Sequence, residues 1–168
     1  MKKALIVIDM QNDFLSGALK NPDAQAIVPA IVDAVNGFDG DVFATRDTHS
    51  IDYLSTAEGK HLPIPHFIKD TKGWEIEPSI QSALFKKKAT LLDKPTFGYL
   101  NWDCLDGYGE ITLVGTCTDI CVVSNALILK AKYPDSEMKV ISSMCAGTSK
   151  ENHESALRVM ACCQIKII

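Results

Sequence analysis

Six short apolar runs, rich in β-branched residues and separated by helix-like stretches or polar loops, decide what this chain can fold into. They fall at residues 4–9, 41–46, 89–93, 111–115, 138–142 and 164–168. Each is too short for a buried helix, and its Val, Ile and Leu content suits a strand covered on both faces. Residues 24–36, 78–85, 119–132 and 149–161 carry apolar positions at helical spacing, with Asn21-Pro22-Asp23 opening the first and Gly37 closing it. This alternation predicts an α/β fold of three layers, a six-stranded, mainly parallel sheet with helices on both faces. Residues 1–168 contain no repeat, linker or low-complexity tract and read as a single domain. The polar connection over residues 47–75 is longer than a compact domain usually leaves between elements, and such loops tend to be functional.

Composition excludes several functions. The net charge is −4, and the basic residues are scattered apart from Lys86, Lys87 and Lys88, so neither nucleic acid nor an anionic membrane is expected as a partner. No apolar run approaches the ~20 residues of a membrane span. The N-terminal run meets Asp9 at once, which marks a first strand rather than an export signal. The six cysteines are therefore expected to be reduced thiols of a cytoplasmic protein. Cys117 and Cys121 are spaced C-x₃-C, and no close C-x-x-C pair is present for a structural zinc knuckle.

In an open parallel sheet, ligands bind beyond the carboxyl ends of the strands. Four chemically useful residues fall there: Asp9 after the first run, Asp47 after the second, Lys94 after the third and Cys121 after the fourth. Thr118 and Asp119 offer N-cap chemistry to the helix that follows the fourth strand, which sets Cys121 in its first turn. Unpaired N–H groups and the helix dipole favour a thiolate there, so a lowered pKa is one expectation for Cys121. The other is a small buried hydrophobe, as many free cysteines are. Asp9 likewise reads as a turn cap or a proton acceptor, and Lys94 as a solvated lysine or a support for a thiolate. Together the three make a workable hydrolase set.

A second group is Asp47, His49 and His66. Positions i and i+2 of an extended segment point the same way, so Asp47 and His49 can share one ion that His66 completes. A two-histidine, one-carboxylate set suits zinc, iron(II) or manganese. The alternative is a pair of solvent-exposed loop histidines. Glu58 stands in the same loop as a candidate fourth ligand, and His61 as a weaker competitor. His153, within a predicted surface helix, reads as structural.

The blocks Val7-Ile8-Asp9-Met10-Gln11-Asn12-Asp13-Phe14, Thr45-Arg46-Asp47-Thr48-His49, Asp93-Lys94 and Gly115-Thr116-Cys117-Thr118-Asp119-Ile120-Cys121-Val122 resemble the isochorismatase-like cysteine hydrolase superfamily. The D-x-H element and later histidine resemble its nicotinamidase/pyrazinamidase branch. The resemblance implies a Rossmann-like hydrolase fold with Asp9, Lys94 and Cys121 as catalytic triad. It also implies a divalent metal, usually zinc, on Asp47, His49 and His66. A non-proline cis bond between Thr116 and Cys117 is implied too, with the backbone N–H groups of Cys117 and Cys121 as oxyanion hole. The implied reaction is hydrolysis of a small-molecule amide, nicotinamide first, through a cysteine thioester, by a homo-oligomer. One departure stands out: where nicotinamidases have Trp-Pro-x-His-Cys, this chain reads Leu62-Pro63-Ile64-Pro65-His66-Phe67. Phe14, Phe97, Tyr99 or Trp102 is then expected to supply the aromatic wall. Rival readings keep the triad for a carbamoyl or ureido amide, or make the chain a non-catalytic metal or thiol redox module.

Overall fold

The computed structural model describes residues 1–168. β1 (Lys2–Ile8), β2 (Asp41–Asp47), β3 (Thr90–Lys94), β4 (Tyr108–Thr116), β5 (Glu137–Ala146) and β6 (Lys166–Ile167) form one sheet of order β3-β2-β1-β4-β5-β6. Every neighbouring pair is parallel, so all six expected strands are present and none runs against the others. The helices are α1 (Asn12–Leu15), α2 (Pro22–Ala26), α3 (Val28–Gly37), α4 (Ala57–His61), α5 (Pro78–Lys86), α6 (Val123–Lys132) and α7 (Lys150–Cys162). None is long and apolar enough to cross a membrane.

The period of two along β1 feeds two cores. Ala4, Ile6 and Ile8 pack into the layer that holds Ala126 and Leu129 of α6 and Met160 of α7, whereas Leu5 and Val7 enter the layer that holds Ile31 of α3 and Ile80 of α5. Fully burying each large aliphatic side chain contributes about 1.5–3 kcal/mol, which is why a central parallel strand reads as one continuous apolar run.

The predicted helix over residues 24–36 is two helices that part at Ile27. Pro29 causes the break, because it has no N–H to donate and its ring crowds the Gln25 carbonyl. Asn21 caps the first piece as expected, its side chain accepting from the N–H groups of Asp23 and Ala24. The long connection after β2 is ordered by a 3₁₀ turn at Tyr53–Ser55, by α4 and by bridges of Gln11 to Ile76 and His49 to Ile68.

Strand order reverses between β1 and β4, and a crevice for ligands forms where such strands end. Gly115 lets them approach. It has φ +121°, and a Cβ there would lie 2.2 Å from the Ile8 carbonyl oxygen.

Cys145, opposite Gly115 on β5, carries an alkaline liability. Burial pushes its thiol from the ordinary 9.0 up to about 12. The folded pKa lies above the unfolded one, so the stabilising difference is complete below pH about 9 and is lost as pH climbs toward 12. From this thiol alone, the loss at pH 10 is about 1.4 kcal/mol. Denaturant unfolding at pH 8 and pH 10 should show that loss in the wild type and a smaller one in Cys145→Ala. Equal losses in both would remove Cys145 as the cause.

Candidate active site

Asp9 follows the last residue of β1 and takes φ +46°, which turns the chain away from the sheet. Its N–H donates to Thr45 Oγ1 at 3.2 Å, and the Thr45 hydroxyl donates back to Asp9 Oδ1 at 2.7 Å. The other carboxylate oxygen faces Lys94 Nζ at 2.7 Å. Lys94 ends β3, which is separated from β1 by β2, so its long side chain reaches across the end of β2. There Nζ donates to the Thr96 carbonyl at 2.9 Å and lies 3.8 Å from Cys121 Sγ and 3.9 Å from Asp47 Oδ2. Asp9 and Lys94 are fully buried and Cys121 is 1% exposed. The structure thus brings together three residues that the sequence scatters over 113 positions (121 − 9 + 1).

The start of the helix after β4 differs from expectation. Residues Thr118–Val122 form a π turn before α6, with Cys117 at the cap position and no side-chain cap. Thr118 and Asp119 do not cap it, because both side chains are drawn to α7 and the loop before it. Thr118 Oγ1 pairs with His153 Nδ1 at 2.8 Å, and the Asp119 carboxylate accepts from the Thr148 N–H, also at 2.8 Å. His153 therefore has the structural role expected of it. The Thr116–Cys117 peptide bond is cis, as the resemblance implies.

The expectation of a lowered Cys121 pKa fails. Burial pushes the thiol well above its ordinary value, Asp9 adds to that push, and Lys94 opposes it. Full desolvation outweighs the dipole at the helix start. Cys121 consequently rests as a thiol beside a carboxylate. For Lys94, burial disfavours the charge, but the carboxylates of Asp9 and Asp47 outweigh it and hold the ammonium protonated.

His49, Glu58 and His66 converge in a second cluster, with Asp47 at its edge. His49 Nε2 lies 3.8 Å from Asp47 Oδ2 and 3.6 Å from Glu58 Oε1, and His66 Nε2 lies 3.5 Å from the same Glu58 oxygen. His66 Nδ1 meets the Ile64 carbonyl at 2.7 Å, which fixes the tautomer that leaves Nε2 a free lone pair. His49 Nε2 is buried with no hydrogen-bond partner. With a second imidazole nitrogen held ready and the Glu58 carboxylate between them, His49, Glu58 and His66 make a donor set that fits a divalent cation, whereas Asp47 gathers with Asp9 and Cys121 and reaches that set only at His49. Burial raises the Asp47 carboxyl to about 7, with Lys94 pulling the other way. Burial also disfavours charge on Glu58, yet His66 and His49 hold it below its ordinary value. Glu58 joins the cluster as one of the two alternatives raised for it. His61 does not: it is exposed at the end of α4.

The aromatic expectations divide. Phe14 lines a cleft of about 530 Å³ with Ala18, Leu19, Leu62, Cys117 and Ile120, and its ring meets Phe67 edge-on at 4.6 Å. Phe97 and Tyr99 line no part of that cleft. Phe97 is 40% exposed, and Tyr99 packs edge-on against fully buried Trp102. Their loop is turned this way by Asn125, whose side chain donates to the Phe97 carbonyl and accepts from the Tyr99 N–H. A larger surface cleft of about 680 Å³, under Arg46, Trp74 and Phe85, contains none of the triad or histidine-cluster residues.

Sequence reasoning missed Tyr53 and Gln11. The Tyr53 ring sits 4.8 Å from both His49 and His66 and backs the histidine cluster. Gln11 is a fully buried amide on Asp47. Its signal was a neutral polar residue next to a long apolar run, in a chain that otherwise changes to charge at that point.

An isochorismatase domain model matches residues 3–168. The chain is 29% identical to nicotinamidase/pyrazinamidase of Mycobacterium tuberculosis, over 99% of this chain and 98% of that protein. The solved structure of nicotinamidase/pyrazinamidase from Bacillus subtilis superposes with TM-score 0.89 at 28% identity, covering 99% of each chain. Pyrazinamidase of Pyrococcus horikoshii, solved in complex with zinc, superposes with TM-score 0.81 at 26% identity, over 100% of this chain and 99% of that one.

Proposed function

This chain belongs to the isochorismatase domain family, and from that premise we propose that it is a nicotinamidase, an amidohydrolase that converts nicotinamide to nicotinic acid and ammonia in pyridine-nucleotide salvage. The observation that carries the reading is the meeting of Cys121, Asp9 and Lys94 in one buried cluster at the carboxyl edge of the sheet. The nicotinamidases it resembles over their whole length support the choice of amide.

The geometry supports a role for each residue. Cys121 gives its proton to Asp9 as sulfur attacks the carboxamide carbon. Lys94, held charged, stabilises the sulfur anion during that transfer. Backbone N–H groups of Cys117 and Cys121 receive the tetrahedral oxyanion, and one such donor contributes about 3 kcal/mol to the transition state. Asp9 then protonates the departing nitrogen, the C–N bond breaks to release ammonia, and the acyl group stays on Cys121 as a thioester. Stripped of its proton again, Asp9 draws one from water, which attacks the thioester and frees the acid and the Cys121 thiol. The Phe14–Leu62 cleft, floored by Cys117, is the entry for the substrate ring.

His49, His66, Asp47 and Glu58 would hold the metal, with zinc the ion that the Pyrococcus pyrazinamidase relative carries. When bound, such an ion supplies Lewis acidity toward a ring nitrogen and so helps orientation. Removing it with a strong chelator should raise KM for nicotinamide at least about 10-fold, change kcat less, and be reversed by added zinc. An unchanged KM in metal-free protein would take the metal out of substrate binding.

A second reading, hydrolysis of another small amide on the same thiol, is favoured by the cleft wall, in which Phe14 is the one aromatic side chain beside aliphatic residues and the polar Lys20, Asn21 and Thr148. Ammonia release from nicotinamide, set against pyrazinamide and carbamoyl and ureido amides, decides between them. We expect nicotinamide to give the highest kcat/KM, and the first reading fails if a non-aromatic amide exceeds it. The same reading places the protein in the cytoplasm, in keeping with six free thiols.

A further inference from the structure

β2 runs further than β1. The last register pair between them is Val7 with Ala44, and the chain leaves β1 at the turn of Asp9. Asp47 is three residues past that pair. The Thr48 N–H donates to the Lys94 carbonyl on the β3 side, but Asp47 faces the side that β1 has vacated. A strand end left so would carry an unpaired donor and acceptor inside the protein. Gln11 fills the gap. Its Oε1 accepts the Asp47 N–H at 2.7 Å, and its Nε2 donates to the Asp47 carbonyl at 2.8 Å and to the Trp74 carbonyl, also at 2.8 Å. The side chain is fully buried, and its own N–H donates to the Asp9 carbonyl at 2.8 Å.

We infer that Gln11 is a positioning residue for substrate binding: its amide stands in for the missing strand and fixes the backbone of Asp47, so that this carboxylate meets His49 and not only Lys94. The two demands on Asp47 are close. Its Oδ2 is 3.8 Å from His49 Nε2 and 3.9 Å from Lys94 Nζ, so a small rotation of the backbone trades one for the other. A clamp on both the N–H and the C=O removes that rotation. The third bond, to Trp74, ties in the segment that closes the long connection after β2. The inference rests on the proposed role of Asp47 as a metal ligand.

The test measures zinc affinity of the metal-free protein by competition with a chromophoric chelator, beside kcat and KM for nicotinamide. Gln11→Met keeps length and burial and removes all three side-chain bonds. It should weaken zinc binding about 10- to 100-fold and raise KM, with kcat at saturating zinc and substrate within about 3-fold of wild type. Gln11→Glu, which keeps an acceptor for the Asp47 N–H, should fall between the two and decides the matter if Gln11→Met does not fold. Wild-type zinc affinity in a folded Gln11 variant overturns the inference, even where its stability is lower, since a merely structural amide moves stability alone. Wild-type protein that binds zinc yet leaves nicotinamide intact defeats the substrate reading while the zinc comparison still decides Gln11. Wild-type protein that binds no zinc overturns the inference together with the metal site.

Discussion

Cys121→Ala should lower kcat for nicotinamide by at least about 10⁴-fold and leave the fold in place, since removal of a nucleophile costs on that order or more. The sulfur is the strongest nucleophile of the cluster, with a carboxylate on one side and an ammonium on the other. Its loss leaves a small void in a core that Val122 and Ala126 continue to fill, at a cost of about 1 kcal/mol. Circular dichroism and the unfolding midpoint should therefore stay near wild type while ammonia release disappears. Cys121→Ser tests the same point from the other side. Its hydroxyl keeps a donor toward Asp9, so stability is conserved, yet turnover should remain near that of the alanine variant. Residual turnover within 10-fold of wild type in both would end the case for a thioester.

The order of strands and helices was open to sequence reasoning because each local signal agreed with the global fold. Short apolar runs rich in β-branched residues mark the strands, and Asn21 marks a helix start. Pro29 is equally visible, yet helical periodicity runs straight through it, and only the structure shows that it divides the stretch into two helices. The triad could be foreseen because a parallel sheet sends the residues after its strands to one edge. What could not be foreseen was electrostatic. A thiol at a helix start is expected to lose its proton easily, but only the packed structure reveals that Cys121 is 1% exposed and sits on a π turn. Glu58 and Tyr53 lie in the long connection, where no periodicity fixes direction, so their approach to the two histidines depends on tertiary packing. Phe97 and Tyr99 failed as cleft residues for a similar reason: Asn125 holds the backbone of their loop, and sequence carries no sign of that bond.

Lys94→Met should destabilise the protein by about 3–5 kcal/mol, the usual cost of removing one partner of a buried ion pair. The lysine is fully buried, and the only charges close to it are the carboxylates of Asp9 and Asp47, themselves 0% and 2% exposed. Methionine fills the space without the charge, so two carboxylates would remain in a dry site with no cation between them. At roughly 2–4 °C per kcal/mol for a domain of this size, the unfolding midpoint should drop by about 6–20 °C. The pH dependence separates lost charge from lost packing. Lys94 pulls the Asp47 carboxyl down against its burial, so without the ammonium that group holds its proton more tightly still in the folded state, and the variant's deficit should grow as pH rises and shrink as pH falls. Asp9→Asn combined with Lys94→Met should cost less than the sum of the two single changes, because the second substitution removes the charge that the first one stranded. Denaturant unfolding of the four proteins at pH 5 and pH 8 measures both effects. A deficit independent of pH, with strictly additive singles, would mean that Lys94 acts here as a packing residue, and its proposed support of the Cys121 anion would fall with it.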